Sequence, residues 1–408
     1  MNADGLAQRC PISARRLIDL MRKQPMRRLC AICGTLTLCA AALNVRAYCA
    51  PARAVVAYVF PQNNALQPGD IDAGRLTRIN YAFANIVDGR MVTGFAKDAE
   101  NFAFLESLKK DNPSLTVLVS VGGWLWSTNF SDMALTAQSR AVFIQSVMEF
   151  LARYDLDGLD IDWEYPGLPG VGHPFRKEDK QNFTLLLKEL HARFAQETGK
   201  THKRLYLTIA AGAADEFVEN TEMGKVEEYV DTVNLMTYDY YEAGSDPISG
   251  NHAPLFVNPA DPKKSAAASS VTAFEKAGVP AHKILLGMPF YGRVWGQVAD
   301  VNHGLFQPGK PVPNANAHYS AIVANLLNQG YVRYWDDKAS VPYLYNAEKQ
   351  IFVSYEDPES IAAKCKYVVA HDLGGVMFWE YSNDPSGTLL RAIDDSLAQQ
   401  PSKGAAKP

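Results

Sequence analysis

Residues 156–167 read LDGLDIDWEYPG and place four carboxylates, Asp157, Asp160, Asp162 and Glu164, among Leu159, Ile161 and Trp163. Carboxylates this close cannot all ionise comfortably, and burial raises a carboxyl pKa further. At least one is expected to hold a proton near neutral pH. A protonated Glu at the mouth of a cavity is a general acid. Three settings could hold such a cluster: a solvated edge strand, a metal loop or a catalytic strand. In a strand, side chains alternate with period two. Asp160, Asp162 and Glu164 then share one face, while Leu159, Ile161 and Trp163 share the other.

A solvated edge strand would not set Leu, Ile and Trp between its acids. A calcium loop of the EF-hand kind needs Gly at its sixth position and Glu at its twelfth. Counted from Asp155, the glycine is Gly158, at the fourth. A catalytic strand fits if a fold buries Leu159, Ile161 and Trp163 and turns the acids into a cavity.

The rest of the chain supplies such a fold. Strand-like runs occur at Ala54–Phe60, Arg78–Ile86, Leu115–Gly123, Leu156–Trp163, Arg204–Gly212, Thr232–Asp239, Lys283–Gly292 and Gly374–Tyr381. They are rich in Val, Ile, Leu, Tyr and Phe, as buried parallel strands are. Helical patterns lie between them. Phe183, Leu186, Leu187, Leu190 and Phe194 share one helical face, and Ala141–Leu151 and Ile361–Ala370 read alike. This alternation predicts an α/β fold, a (β/α)8 TIM barrel, over a doubly wound sheet, for which there is no glycine-rich dinucleotide fingerprint. Glu164 falls at the carboxyl end of its strand, where the active sites of such barrels form. The rhythm breaks between Gly292 and Gly374. The runs YVRYWD, VPYLYN and QIFVSYE and the helix-like His318–Asn328 predict a small α+β insertion domain between strands 7 and 8.

The expected organisation is a signal-peptide region at 1–50, barrel strands 1–7 at 53–293, the insertion domain at 294–358, strand 8 and a closing helix at 359–398, and a disordered tail at 399–408. Arg22, Lys23, Arg27 and Arg28 precede the apolar run Leu29–Leu43, which has signal-core length and is short for a membrane span. Cleavage is expected at about 47–52, after NVRA or APA; the alternative is a short anchor helix. Residues 1–47 hold eight basic and two acidic residues, a net of +6, so a chain of net charge −4 would be left near −10. Such a balance argues against a nucleic-acid partner. Five of the six cysteines precede residue 50, so no internal disulfide is expected, and Cys365 reads as a small buried apolar residue. No zinc-ligand spacing occurs in the body.

The motif LDGLDIDWEYP resembles the DxxDxDxE signature of glycoside hydrolase family 18, the chitinases and their relatives. SVGGW (Ser120–Trp124) resembles the family's third-strand SxGG, MTYD (Met236–Asp239) its sixth-strand motif, GMPFYGR (Gly287–Arg293) its seventh, and GGVMFWEY its eighth-strand Trp. The order holds from about residue 54 to 392, and the insertion resembles that of the deep-cleft chitinase subfamily.

The resemblance implies a retaining, substrate-assisted hydrolysis of β-1,4-linked N-acetylglucosamine chains. It gives Glu164 the role of acid and then base, and has Asp162 hold the acetamide N–H. Asp160 shares a proton with Asp162, helped by Ser120 and Tyr58, and Tyr238 holds the acetamido carbonyl. It places Trp379 under the sugar at the scissile bond, because aromatic rings stack on apolar sugar faces. Phe83, Gly123, Trp124, Tyr165, Met236 and Tyr291 map to the cleft lining, and Asp239 and Arg293 to hydrogen-bonding positions. Asp157 reads as a supporting residue at the strand's start, and Trp126 and Trp295 have no assignment. The chain departs from the family after MTYD, where a Gly-Trp pair that stacks on the leaving-group sugar is missing; Tyr240 or Tyr241 is the substitute on offer.

No metal or cofactor is implied. The expected partner is chitin or a chitooligosaccharide, with no nucleic acid and no stable membrane association after signal removal, and the expected state is a monomer. The expected location is extracellular, or periplasmic in a Gram-negative bacterium. Two alternatives stay open: the same chemistry on another N-acetylglucosamine-containing glycan, and a chitinase-like lectin. The lectin reading is disfavoured because the acid and its helpers are all present.

Overall fold

A computed structural model describes residues 53–398. The expected signal region, its cleavage zone and the tail at 399–408 lie outside the described residues. In chain order the strands are β1 (Ala54–Val59), β2 (Arg78–Val87), β3 (Arg90–Val92), β4 (Thr116–Gly122), β5 (Gly158–Asp162), β6 (Tyr206–Gly212) and β7 (Thr232–Met236). They continue with β8 (Ile284–Pro289), β9 (Arg293–Gly296), β10 (Lys310–Pro311), β11 (Val332–Asp336), β12 (Val341–Asn346), β13 (Ile351–Ser354) and β14 (Gly375–Trp379).

Eight of these, β1, β2, β4 to β8 and β14, form a closed parallel barrel in which β1 pairs with β2 on one side and β14 on the other. Their apolar runs are explained by burial on both faces. Leu159, Ile161 and Trp163 point outward into the layer between barrel and helices, where Trp163 stacks on Phe130 at 5.1 Å and meets Phe183 edge-on. The covering helix Ala137–Tyr154 starts at Thr136, whose side chain and that of Ser139 form a reciprocal capping box. It ends at Asp155, whose φ of 58° is left-handed and turns the chain into β5. The helix Pro358–Ala370 starts the same way, with Asp357 and Ser360 as its capping pair and Pro at the first position. It carries the buried Cys365.

The barrel interior differs from its outer layer. Val56, Tyr58, Leu285 and Met377 form a small apolar cluster there. Asn80, Ser120, Asp160, Thr208 and Asn234 are buried polar residues of the barrel strands. β3 was not among the expected strands; it pairs antiparallel with β2 through Asp88 and Gly89, both at positive φ (50° and 70°). A two-residue Asp-Gly turn is the hairpin connection that the right-handed strand twist favours.

β9 to β13 form a separate antiparallel sheet in the order β10-β9-β13-β12-β11. Its own core joins Trp295, Val298, Leu305, Tyr343, Tyr345 and Phe352 to Tyr241 from the segment after β7. Trp295 is therefore a core residue. Among the described residues, no helix is long and apolar enough to cross a membrane.

Candidate active site

The alternation of β5 sends Asp160 and Asp162 inward, with Glu164 just beyond the strand's carboxyl end, all three buried. Asp160 lies deepest. Its Oδ2 accepts from Tyr58 Oη at 2.9 Å and Ser120 Oγ at 2.8 Å. Its Oδ1 accepts from Asn234 Nδ2 at 3.0 Å and from Thr208 Oγ1. Burial raises the Asp160 pKa, while the hydrogen bonds and the Arg78 charge oppose the rise. Asp162 is raised further, by burial and by the neighbouring charges of Glu164 and Asp160. Its Oδ1 has no hydrogen-bond partner among the described residues. Burial pushes Glu164 up to about 7, with a hydrogen bond to Tyr165 opposing and the Asp239 charge adding. Its backbone N–H donates to Ser127 Oγ at 2.9 Å, which fixes the strand's exit.

A second group comes from the ends of β7 and β8. Asp239, at a left-handed φ of 60°, accepts from Tyr291 Oη at 2.7 Å and from Arg293 Nε at 2.8 Å. Nη2 of Arg293 also bridges Asp239 at 2.8 Å and Glu242 at 2.9 Å. The fully buried His252 brings Nδ1 to 3.5 Å from Asp239. Burial alone would raise Asp239, but His252 and the Arg293 guanidinium hold its carboxyl well below the usual range. Asp239 is thus a fixed negative charge facing Glu164. Burial also raises the phenols of Tyr58 and Tyr238, which stay protonated donors.

These groups open into a cleft of about 1270 Å³. Tyr58, Phe83, Trp124, Asp162, Glu164, Tyr165, Met236, Tyr238, Asp239, Tyr291, Arg293 and Trp379 line it. Trp379 stacks on Phe83 at 5.5 Å, with Tyr58 and Phe60 rings at 5.8 and 5.6 Å. Phe60, Phe95 and Trp126 extend this wall and were missed as lining residues by the sequence reading. No sequence signal separates them from core aromatics.

One residue, Gly123, sits elsewhere than the motif match placed it. Gly122 borders the cleft, whereas Gly123 is buried behind Phe83; a Cβ on Gly123 would lie 2.6 Å from that ring, at a φ of +79°. Gly123 therefore seats Phe83 and offers no surface to a ligand. Ser120 and Asp160 lie beneath the floor. Asp157 is at the opposite end of the barrel, accepting from Val117 N–H at 2.8 Å and pairing with Lys109. It anchors the strand's start and takes no part in the cleft. Of the two candidate substitutes for the missing Trp, Tyr241 is fully buried in the second core, with its hydroxyl on Asp261. Tyr240 lines the cleft, and its hydroxyl meets Ser270 Oγ at 2.7 Å.

The arrangement can deliver a proton near neutral pH from Glu164 into a cavity lined with aromatic faces and neutral hydroxyl donors, with the fixed carboxylate of Asp239 facing it.

Residues 54–384 match the family model described as "Glycosyl hydrolases family 18". The chain is 39% identical to "Chitinase A1" of Niallia circulans over 80% of this chain, and the match spans 56% of that longer relative. Among solved structures it is similar to a chitinase from Bacillus thuringiensis, with a TM-score of 0.80 and 32% identity over 86% of this chain and 71% of that one. It is also similar to an N-acetylglucosaminidase from Paenibacillus barengoltzii, with a TM-score of 0.77 and 38% identity over 84% of this chain and 99% of that one.

Proposed function

The chain belongs to glycosyl hydrolase family 18, and from that premise we propose that it is a secreted chitinase that cleaves β-1,4-linked N-acetylglucosamine chains with retention of configuration. The observation that carries this reading is Glu164, pushed up to about 7 at the floor of the cleft, directly after the buried pair Asp160 and Asp162. Secretion rests on the basic and apolar run ahead of residue 47.

In this reading a sugar lies on Trp379 with its acetamido group between Asp162 and Tyr238. Glu164 gives its proton to the glycosidic oxygen as the bond from that oxygen to the anomeric carbon breaks. The acetamido oxygen supplies the electron pair that forms the new bond to that carbon, so the nucleophile is the substrate's own and no second carboxylate attacks. Tyr238 donates to the acetamido oxygen and orients it. Asp162 accepts from the acetamido N–H, and the single negative charge of the Asp160–Asp162 pair offsets the positive charge of the oxazolinium ion. Water then attacks the anomeric carbon on the face the leaving group left, and Glu164 takes its proton. The bond to the acetamido oxygen breaks and the original configuration returns.

The test is a comparison of wild type with Glu164→Gln on a chitin hexamer, reading product masses and anomeric configuration. The variant should lose turnover by a factor of about 10²–10⁴ and keep its binding. Wild-type rates in the variant would refute the assignment. A second reading, release of single N-acetylglucosamine units, is favoured by the similarity to the Paenibacillus barengoltzii protein. Monosaccharide as the first product would select it, while dimers and trimers would select the chitinase.

A further inference from the structure

The four hydrogen bonds on Asp160 fill both of its oxygens, two donors on each, which is the full acceptor capacity of an ionised carboxylate. Asp162 next to it offers an oxygen, Oδ1, with no hydrogen-bond partner among the described residues. A proton shared by the two acids has a place on Asp162 and none on Asp160.

Two of the four donors, Asn234 and Tyr58, also have a common origin. Arg78 Nη1 donates to Thr232 Oγ1 at 2.9 Å, and Thr232 Oγ1 donates to Asn234 Oδ1 at 3.2 Å. Asn234 Nδ2 then donates to Asp160 Oδ1 at 3.0 Å and to Tyr58 Oη at 3.0 Å. Tyr58 donates onward to Asp160 Oδ2. Every bond runs from the cation towards the carboxylate, so each polarises the next. Asn234 cannot reverse its amide without turning an oxygen on Asp160 and a donor on Thr232, whose own hydrogen would then have no acceptor there. Arg78, Thr208 and Asn234 are all buried within the barrel.

We propose that Arg78, Thr232 and Asn234, together with Thr208, are positioning residues that make Asp160 the charged member of the pair and leave the proton on Asp162. This rests on the catalytic reading above. It replaces an even sharing of the proton with a fixed one. It also keeps the neutral partner next to Glu164, so the acid is not driven further up by an adjacent anion. The charged and titratable groups that face Asp160 are Tyr58 from β1, Arg78 from β2, and Asp162 from its own strand; Ser120, Thr208 and Asn234 contribute neutral donors from β4, β6 and β7.

The test is the pH profile of kcat on a soluble chitooligosaccharide for Asn234→Leu, Thr208→Val and Thr208→Ser. Removing a donor destabilises the Asp160 carboxylate, so its pKa rises and the acidic limb of the profile moves to higher pH. The expected shift is about one to two pH units for Asn234→Leu and Thr208→Val, the effect of losing a hydrogen bond to a charged group. Thr208→Ser keeps the hydroxyl and should keep the wild-type limb. An unmoved limb in folded variants, or a uniform loss of rate at every pH, would overturn the proposal. If Asn234→Leu does not fold, the Thr208 pair decides alone. A carbon-13 titration of the Asp160 carboxyl in wild type and Thr208→Val gives the same answer without turnover. It therefore separates failure of this assignment from a wild-type enzyme that does not act on the oligosaccharide.

Discussion

Replacing Asp239 with Asn tests how the acid is tuned. Asp239 stays ionised through the working range because His252 and Arg293 hold it there against burial, and its charge is one of the causes that lift Glu164 to about 7. Asn keeps an oxygen for Tyr291 Oη and Arg293 but removes the negative charge. The guanidinium, left with only Glu242 to balance it, then favours the ionised Glu164 as well. Both changes lower the Glu164 pKa, by about one unit for the loss of a single nearby charge. A general acid works only in its protonated fraction. A fall from about 7 to about 6 takes that fraction at pH 7 from about a half to about a tenth, while at pH 5 it stays above about 0.9. The expected result is a rate loss of about fivefold at pH 7 with little loss at pH 5, read as a basic limb moved down by about one unit in kcat/KM against pH on a soluble oligosaccharide. A basic limb that stays in place or moves up would refute the coupling of Asp239 to Glu164.

Three further outcomes follow from particular contacts. Trp379→Ala removes the ring under the proposed scissile-bond sugar and should weaken oligosaccharide binding by about 1–3 kcal/mol by calorimetry; unchanged affinity would place the ring in a purely structural role. Gly123→Ala puts a methyl group against the Phe83 ring and should lower affinity and stability together, whereas a variant indistinguishable from wild type would show that the ring can move aside. Lys364 and Glu356 form a fully buried ion pair, so Lys364→Met alone should cost about 3–5 kcal/mol in denaturant unfolding, and adding Glu356→Leu should recover much of it. A single variant as stable as wild type would mean that Glu356 is neutral there.

The eight barrel strands were legible because each is a short apolar run and the helices between them show a clean 3–4 spacing, as Phe183 to Phe194 does within the helix Asp179–Thr201. The acid column was legible from period two alone. The β2–β3 hairpin carried its own signal, Asp88-Gly89, which is easily passed over when β3 has only three residues. Thr208, Thr232 and Asn234 were not legible, since a polar residue in a strand gains meaning only when the barrel's closure shows what it faces. Their donors reach Asp160 from two other strands. For the same reason Trp126 and Trp295 could not be told apart: one lines the cleft and the other fills the core of the small sheet. Tyr240 and Tyr241 are adjacent and point opposite ways, which an irregular segment hides. Gly122 and Gly123 differ only in which neighbour approaches, the Asp162 carbonyl or the Phe83 ring.

The small antiparallel sheet does more than wall the cleft. Arg293 begins β9, and Ser354 of β13 pairs with it in register while its hydroxyl accepts the His252 backbone N–H at 2.9 Å. Both residues that hold Asp239 ionised are therefore fastened to that sheet. Cleft depth and working pH are then linked traits. An engineer who trimmed the segment between β9 and β13 to shorten the binding track would also retune the acid, and a lineage that lost the sheet would need a new way to set the charge beside Glu164.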